Sequence, residues 1–320
     1  MRDWPNAATP YRLGWQYAET DGFIDHSYLR ALQGGNVDEL TSHLNGFLRD
    51  MPLEGLIEYG RYADVSRDGP GGLVAGAKAA VRRRRFVSSV LHDLRCWSDR
   101  VATPAIAELE PPTVGSPWGL KVDSTLVLGT APRHHYYADQ VAQLVASVER
   151  PRVAEIGGGF GGFAYYLLAR RCPKASYLDF DLPEVVALAS YYLLSAFPDR
   201  TTVLYGEAQL DEQTLATSDL VLMPNFAIDT LPPRCVDVVL NSASLSEMHR
   251  PTVERYITDV GRISRRFFFH DNSDQPVAVG DTHEIPASSF PTPEGFRLIR
   301  EQQSPWFSSS RYSERLLART

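Results

Sequence analysis

One stretch, Arg152 to Pro183, constrains the fold more than any other. It reads RVAEIGGGFGGFAYYLLARRCPKASYLDFDLP. Arg152–Ile156 is a short apolar run with β-branched residues that stops at Gly157, Gly158, Gly159, Phe160, Gly161 and Gly162, the pattern of a strand breaking into a turn. Phe163–Arg171 then carries Phe163, Tyr166, Leu167 and Arg170 at helical spacing, with Pro173 just past its end. Ser176–Phe180 predicts a second strand that brings Asp179 and Asp181 to its tip. Glycines without a Cβ let a ligand lie against the backbone, and the helix start behind them offers unpaired N–H groups. The unit predicts an α/β sheet with a nucleoside pocket at the turn.

Two cofactor classes use such a turn. Gly157, Gly159 and Gly162 satisfy the dinucleotide pattern G-x-G-x-x-G, with an acid about twenty positions on for the ribose. That reading gives an NAD(P)-dependent oxidoreductase. Glu155, two residues before the first glycine, tilts the balance. S-adenosylmethionine (SAM) has no pyrophosphate; it presents an ammonium, a carboxylate, a sulfonium and a ribose diol. Glu155 and Asp181 suit a cationic cofactor with a diol better than a dianion. A turn that only closes a strand–helix corner would not need five glycines in six positions.

Glu155 with its glycines resembles the E/D-x-G-x-G-x-G signature of class I SAM methyltransferases. Asp181-Leu182-Pro183-Glu184-Val185 is similar to the FDLPxV segment of O-methyltransferases. Together with Asn241-Ser242-Ala243-Ser244-Leu245-Ser246-Glu247-Met248, these motifs resemble a bacterial family of sugar O-methyltransferases, over roughly Leu126 to the C-terminus. The resemblance implies a Rossmann-like sheet of seven strands with the last one antiparallel. It implies SAM as cofactor: Glu155 at the methionine end, Gly157, Gly158 and Gly159 against the ligand, and Asp181 and Leu182 at the ribose. Asn225 and Phe226, after the strand Leu220–Met223, are the types expected at the adenine. Asn241 and Ser242, leaving the strand Val236–Leu240, are expected beneath the sulfonium, because ligands bind outside the carboxyl ends of parallel strands. Asp179 reads as a strand residue and the second choice for the ribose. The acceptor is expected to be a small hydroxylated molecule, a sugar or a glycosylated secondary metabolite.

Composition narrows the alternatives. The chain has 320 residues and a net charge of −7, which argues against a general nucleic-acid binder. Its one basic run, Arg82–Arg85, reads as a helix face. Cys96, Cys172 and Cys235 are too few and too scattered for a disulfide framework or a zinc site. No apolar run reaches membrane-spanning length and the start, MRDWPNAATPYR, lacks a signal-peptide core, so a cytoplasmic protein is expected, without membrane partners.

Residues 1–122 predict a helical region, and 123–320 the SAM-binding domain. Phe23–Leu32, Val37–Leu48, Leu53–Tyr62 and Leu73–Val101 read as helices, broken at Gly34-Gly35, Met51-Pro52 and Asp68–Gly72. This region would pack on the domain as an acceptor lid, or pair two chains into a homodimer. Trp4, Tyr11, Trp15, Tyr17 and Phe23 are core candidates that could also line an acceptor pocket. Glu110–Gly119 is the strongest linker signal. Ser124–Leu128 reads as a short strand, and Arg133-His134-His135-Tyr136-Tyr137 as the lead into a helix Ala138–Val148, with Arg133, His134 and Tyr136 as possible ligand contacts. Later come a helix over Glu184–Phe197, a strand at Thr202–Tyr205, a helix over Val253–Ile263, a strand Arg266–His270, and the last two strands at Gly295–Arg300 and Tyr312–Leu317, with Pro286 to Pro293 as a loop near the site.

Methyl transfer to a hydroxyl is an in-line displacement on carbon, so the protein must align the acceptor oxygen and remove its proton. The candidate bases are Glu247, then His249, then His270, all after the fourth or fifth core strand. The resemblance implies a His shortly after the fourth strand, but Ser246 or Glu247 stands there. His283-Glu284 is a further pair in the late loop. A metal-assisted version would use Glu247, Asp271 and Asp274, and ranks below metal-free base catalysis. A SAM-binding subunit without catalysis is the third reading.

Overall fold

The computed structural model describes residues 26–50, 73–275, 278–279, 282–283, 285–306 and 312–320. The expected helix Leu53–Tyr62, the aromatics from Trp4 to Phe23, and Glu284 with the side chain of His283 lie outside them.

Helices α1 (His26–Gly34) and α2 (Val37–Asp50) are separated at the expected glycines, where Gly35 takes φ +66°. Helix α3 (Leu73–Ser98) follows, with Arg83, Arg84 and Arg85 exposed on its surface, as a solvated helix face requires. Glu110–Gly119 carries no helix or strand, yet it is packed rather than loose. The Leu48 amide donates to Gly115 O at 3.0 Å and Ser116 Oγ to Asn45 O at 2.7 Å. A hairpin of β1 (Leu120–Val122) and β2 (Thr125–Val127) leads to α4 (Ala131–Leu144). Helix α4 starts seven residues before the expected Ala138, because Pro132 sits in its first turn, where the missing N–H costs nothing. Arg133, His134, His135, Tyr136 and Tyr137 are therefore helical, not a lead-in loop.

The domain then runs β3 (Arg152–Ile156), α5 (Gly162–Tyr166) continuing as a π-helical turn to Arg171, β4 (Ser176–Asp181), α6 (Pro183–Ala196), β5 (Thr202–Leu204), α7 (Glu212–Thr217), β6 (Leu220–Pro224), β7 (Val236–Ser242), α8 (Arg250–Ile263) and β8 (Ser264–Ser273). Two short strands, β9 (Ala278–Val279) and β10 (Thr282–His283), pair with each other. Strands β11 (Phe296–Gln303) and β12 (Tyr312–Arg319) close the chain. The main sheet is ordered β11-β12-β8-β7-β3-β4-β6-β5. It has eight strands, not the expected seven, because short β5 adds to the edge beside β6. Strand β12 runs antiparallel to both neighbours, and the other pairings are parallel, so the antiparallel last strand is as expected.

Alternation along the strands sends Val153, Tyr177, Leu222, Leu240 and Phe269 to one face, under α4, α5 and α6. It sends Ala154, Ile156, Phe180, Val239 and Phe268 to the other, under α8 and the turn after β6. Tyr28, Phe47, Phe86, Val90 and Trp97 of α1–α3 belong to the first of these cores. Trp97 Nε1 donates to His135 Nδ1 at 3.0 Å, and His135 Nε2 lies 2.9 Å from Glu108, so a buried polar chain pins α3 to α4. The N-terminal helices are thus built onto the sheet's outer layer.

Candidate active site

The tip of β3 is where the chain gives up side chains for backbone. Gly157, Gly159 and Gly161 take φ of +74°, +59° and +89°, a region that side chains other than glycine's enter at a cost. The Gly157 amide donates to Phe180 O at 2.9 Å, tying the turn to β4. Gly158 is needed for space: a Cβ there would strike the Asp179 carboxylate and come within 2.6 Å of the Tyr177 hydroxyl. At Gly157 a Cβ would run into Ser244, on the loop after β7. At Gly159 it would meet nothing within 4 Å among the described residues, so none of them closes the turn there.

Three carboxylates surround this turn. Asp181 accepts from the Gly159 amide at 2.8 Å through Oδ2 and from its neighbour Leu182 N at 2.7 Å through Oδ1. Glu155 is buried and accepts from Tyr177 Oη at 2.6 Å. Burial pushes its carboxyl up to about 8; the Tyr177 hydrogen bond opposes this and the Asp181 charge adds to it. Asp179 lies opposite Glu155 in the β3–β4 register and is fully buried. Neither of its oxygens has a hydrogen-bond partner of good geometry. Burial, then Asp181 and Glu155, raise its carboxyl well above the ordinary range. Tyr177 was absent from the sequence reading, although it stands two residues before Asp179 and so shares its face of the strand.

The neighbouring strands complete the rim. Asp181 pairs in register with Pro224, so Asn225 and Phe226 emerge from β6 beside the acid. Asn225 is buried with its Oδ1 accepting from Phe226 N at 3.0 Å, and Phe226 meets Tyr205 edge-on at 5.5 Å. Asn241 is fully buried. Its Nδ2 donates to Ile156 O at 2.8 Å and Ser244 Oγ at 2.6 Å, while its Oδ1 accepts from Asn272 Nδ2 at 2.8 Å. It therefore braces the tips of β3, β7 and β8 rather than facing a ligand with a spare group. Ser242 is half-exposed and hydrogen-bonds Tyr137.

The base candidates are not equivalent. Glu247 ends a 3-10 turn (Leu245–Glu247) after β7, and His249 stands at the N-cap of α8; both are half-exposed. Strand β8 runs three residues beyond the expected end, because Asp271, Asn272 and Ser273 pair with Glu314, Ser313 and Tyr312 of β12. His270 is thus inside a strand, stacked between Phe268 at 4.9 Å and Phe290 at 5.6 Å. Burial lowers it to about 3, helped by Arg315, so it stays neutral. Asp271 accepts from Tyr137 Oη and Ser304 Oγ, both at 2.6 Å, and Asp274 pairs with Arg315. Among the described residues no three His, Cys, Asp or Glu gather into a group that could hold a metal, and Glu247, Asp271 and Asp274 are not brought together as one. Of the α4 candidates, Tyr136 is spent on Glu314 at 2.8 Å, whereas His134 lies against Gly162 with its Nδ1 buried and lacking a hydrogen-bond partner. Burial, then Arg133, lowers His134 to about 3.

A doubly wound sheet with a glycine turn at its carboxyl edge and acids on both sides is the architecture of a nucleoside-cofactor α/β domain. Residues 127–244 match the family model of an O-methyltransferase domain. That span holds the turn, all three acids and β7, and ends at Ser244, before Glu247. The match indicates S-adenosylmethionine as the cofactor, and the observed cradle fits it: a turn open at Gly159 and buried acids short of a counter-charge suit a cationic nucleoside. No curated protein matches the chain. Solved structures similar to it include magnesium protoporphyrin IX methyltransferase from Synechocystis PCC 6803 with bound SAM, at 14% identity and TM-score 0.39, covering 59% of this chain and 81% of that one. The mitomycin 7-O-methyltransferase MmcR is another, at 16% identity and TM-score 0.41, covering 60% and 56%. The pyocyanin biosynthetic protein PhzM is a third, at 13% and 0.37, covering 60% and 56%. Likeness at that level carries nothing about activity. No described helix is long and apolar enough to cross a membrane.

Proposed function

We propose that this chain moves a methyl group from SAM to a hydroxyl of a small acceptor, a sugar or glycosylated secondary metabolite. The observation that carries the reading is the acid-flanked glycine turn within the matched span: Asp181 fixed by two backbone amides on one side, Glu155 and Asp179 buried on the other, and open space at Gly159 between them.

Bound SAM supplies the electrophilic methyl and its own leaving group. The residues of the chain then have three tasks. Asp181, with Asn225 and Phe226 beside it, orients the nucleoside; Glu155 and Asp179 supply negative charge under the cationic end; and a base takes the acceptor's proton. Glu247 is the proposed base and His249 the second choice. Both leave the carboxyl end of β7 half-exposed, whereas His270 is enclosed between rings. The polar network of Asn241 and Asn272 holds the loop that carries Glu247. Removing the base should cost kcat about 10²–10⁴-fold.

Incubating the protein with methyl-labelled SAM and a panel of sugars, glycosides and phenols tests the reading. Label transferred to a hydroxyl, and lost in the Glu247→Gln variant, is expected. Binding of SAM with no transfer to any acceptor favours a cofactor-binding subunit instead.

A further inference from the structure

Asp179 supplies only charge in the steps above, and its own burial is not yet accounted for. It is a fully buried carboxylate with neither oxygen hydrogen-bonded in good geometry, lying directly beneath Gly158. Such a group is costly unless it is protonated or meets a positive charge. Among the described residues, its neighbours do not supply one, beyond the Gly158 and Phe180 amides. The titratable groups around it are Glu155 on β3, and Tyr177 and Asp181 on its own strand. From α4, His134 packs on the turn at Gly162 with Arg133 beside it in sequence, and burial keeps that imidazole neutral. Helix α5 lays the Phe163 ring against Tyr177. The three acids do not form a metal-holding group.

We infer that Asp179 and Glu155 form a proton-holding pair beneath the glycine turn that makes the pocket favour the cationic cofactor over its demethylated product. The inference rests on the proposed function, since it concerns the same pocket. SAM and S-adenosylhomocysteine differ by one methyl group and one positive charge. Empty, the pair keeps a proton, because two carboxylates this deep cannot both ionise at ease. When the sulfonium form binds, its charge replaces that proton, which leaves to solvent. The neutral product gives no such compensation, so the pair takes the proton back and the product is held less tightly. Asp179 is a positioning residue for charge: it acts across the turn and touches neither ligand nor acceptor. The sign follows from Glu155, which in the empty protein titrates near 8. While the pair keeps a proton, Asp179 being raised well above the ordinary carboxylate range, SAM must displace it and loses affinity as the pH falls; once the pair is fully ionised no proton remains to displace.

Calorimetric titration of the full chain with SAM and with S-adenosylhomocysteine, from pH 6 to 9 in two buffers of different ionisation enthalpy, tests this. The amino acid end is common to both ligands, so its own titration cancels in their affinity ratio. The ratio is expected to shift toward SAM with rising pH, by up to about tenfold per unit for one proton, and to level off once the pair has lost its proton. SAM should also release more protons than the product. Asp179→Asn removes the acid that the Glu155 charge raises and should weaken the dependence of the ratio on pH. Glu155→Gln, near-isosteric and a safeguard should the first variant not fold, should flatten the curve. A ratio independent of pH in the native protein overturns the inference while leaving the transferase reading intact, as does a native-like curve in either folded variant. If neither ligand binds, the reading of the pocket itself falls and the inference with it.

Discussion

The two halves of the sheet's carboxyl edge handle buried polarity in opposite ways. At β7 and β8 the polar groups answer one another: Asn241 to Ile156, Ser244 and Asn272; Asn272 to the Ser246 amide at 3.0 Å; Asp271 to Tyr137 and Ser304. At β3 and β4, Glu155, Asp179 and Asp181 crowd together with one phenol and four backbone amides nearby. A satisfied network stabilises a fold by itself, whereas an unsatisfied cluster of one sign stores unfavourable energy that a ligand of the other sign can relieve. The first region is a brace; the second is the receptor that the brace holds in place.

Losing the base should have the largest effect. Glu247→Gln is expected to lower kcat by about 10²–10⁴-fold with cofactor affinity kept, measured by methyl transfer and calorimetry. Next come the opposed responses of the two regions to pH. Glu155 is raised to about 8 when folded, so the empty protein binds a proton there that the unfolded chain has already lost. Stability should fall as the pH rises from the ordinary carboxylate range to 8. His270 is lowered to about 3, so the unfolded chain takes up a proton first, and stability should fall as the pH drops through the ordinary imidazole range. Each slope approaches about 1.4 kcal/mol per pH unit. Urea titrations across pH 4–9 check both, with Glu155→Gln lessening only the alkaline slope, to which Asp179 also contributes, and His270→Phe only the acid one, to which His134 also contributes.

Smaller effects should separate the regions by what they change. Asp181→Ala is expected to weaken cofactor binding by about 1–3 kcal/mol, with little change in stability. Asn272→Ala should do the reverse, costing about 1–3 kcal/mol of stability by leaving the Asn241 oxygen and the Ser246 amide short of a partner. Smallest is Gly159→Ala, about 1 kcal/mol for its positive φ in open space. Gly158→Ala, which strikes Asp179, should be worse than that by thermal melting.

Much of the receptor was legible in the sequence because it is local. Strand β3 has the expected bounds, and Glu155, the glycines and Asp181 lie within thirty residues of chain, so spacing alone brought them together. The brace was not legible, since it joins Asn241 to Asn272 and Tyr137 to Asp271 and Ser304 across distant segments, and nothing local marks such pairs. The same limit explains one of two errors, and the other is a local misreading. Strand β8 looked finished at His270 because three polar residues follow, but pairing with β12 carries it on to Ser273. Helix α4 looked late because the Arg133–Tyr137 run read as a lead-in, whereas Pro132 in the first turn starts the helix before it. Asp179 was read as a strand residue, and so it is. Only the fold reveals that it is a buried acid beneath Gly158.

Calorimetric titration of the native protein with S-adenosylhomocysteine and, separately, with NADH tests the central claim most directly. Saturable one-to-one binding of the first, abolished or strongly weakened in Asp181→Ala, with no heat from the second, is the predicted result. Binding of NADH alone would contradict the account and return the glycine turn to the dinucleotide class.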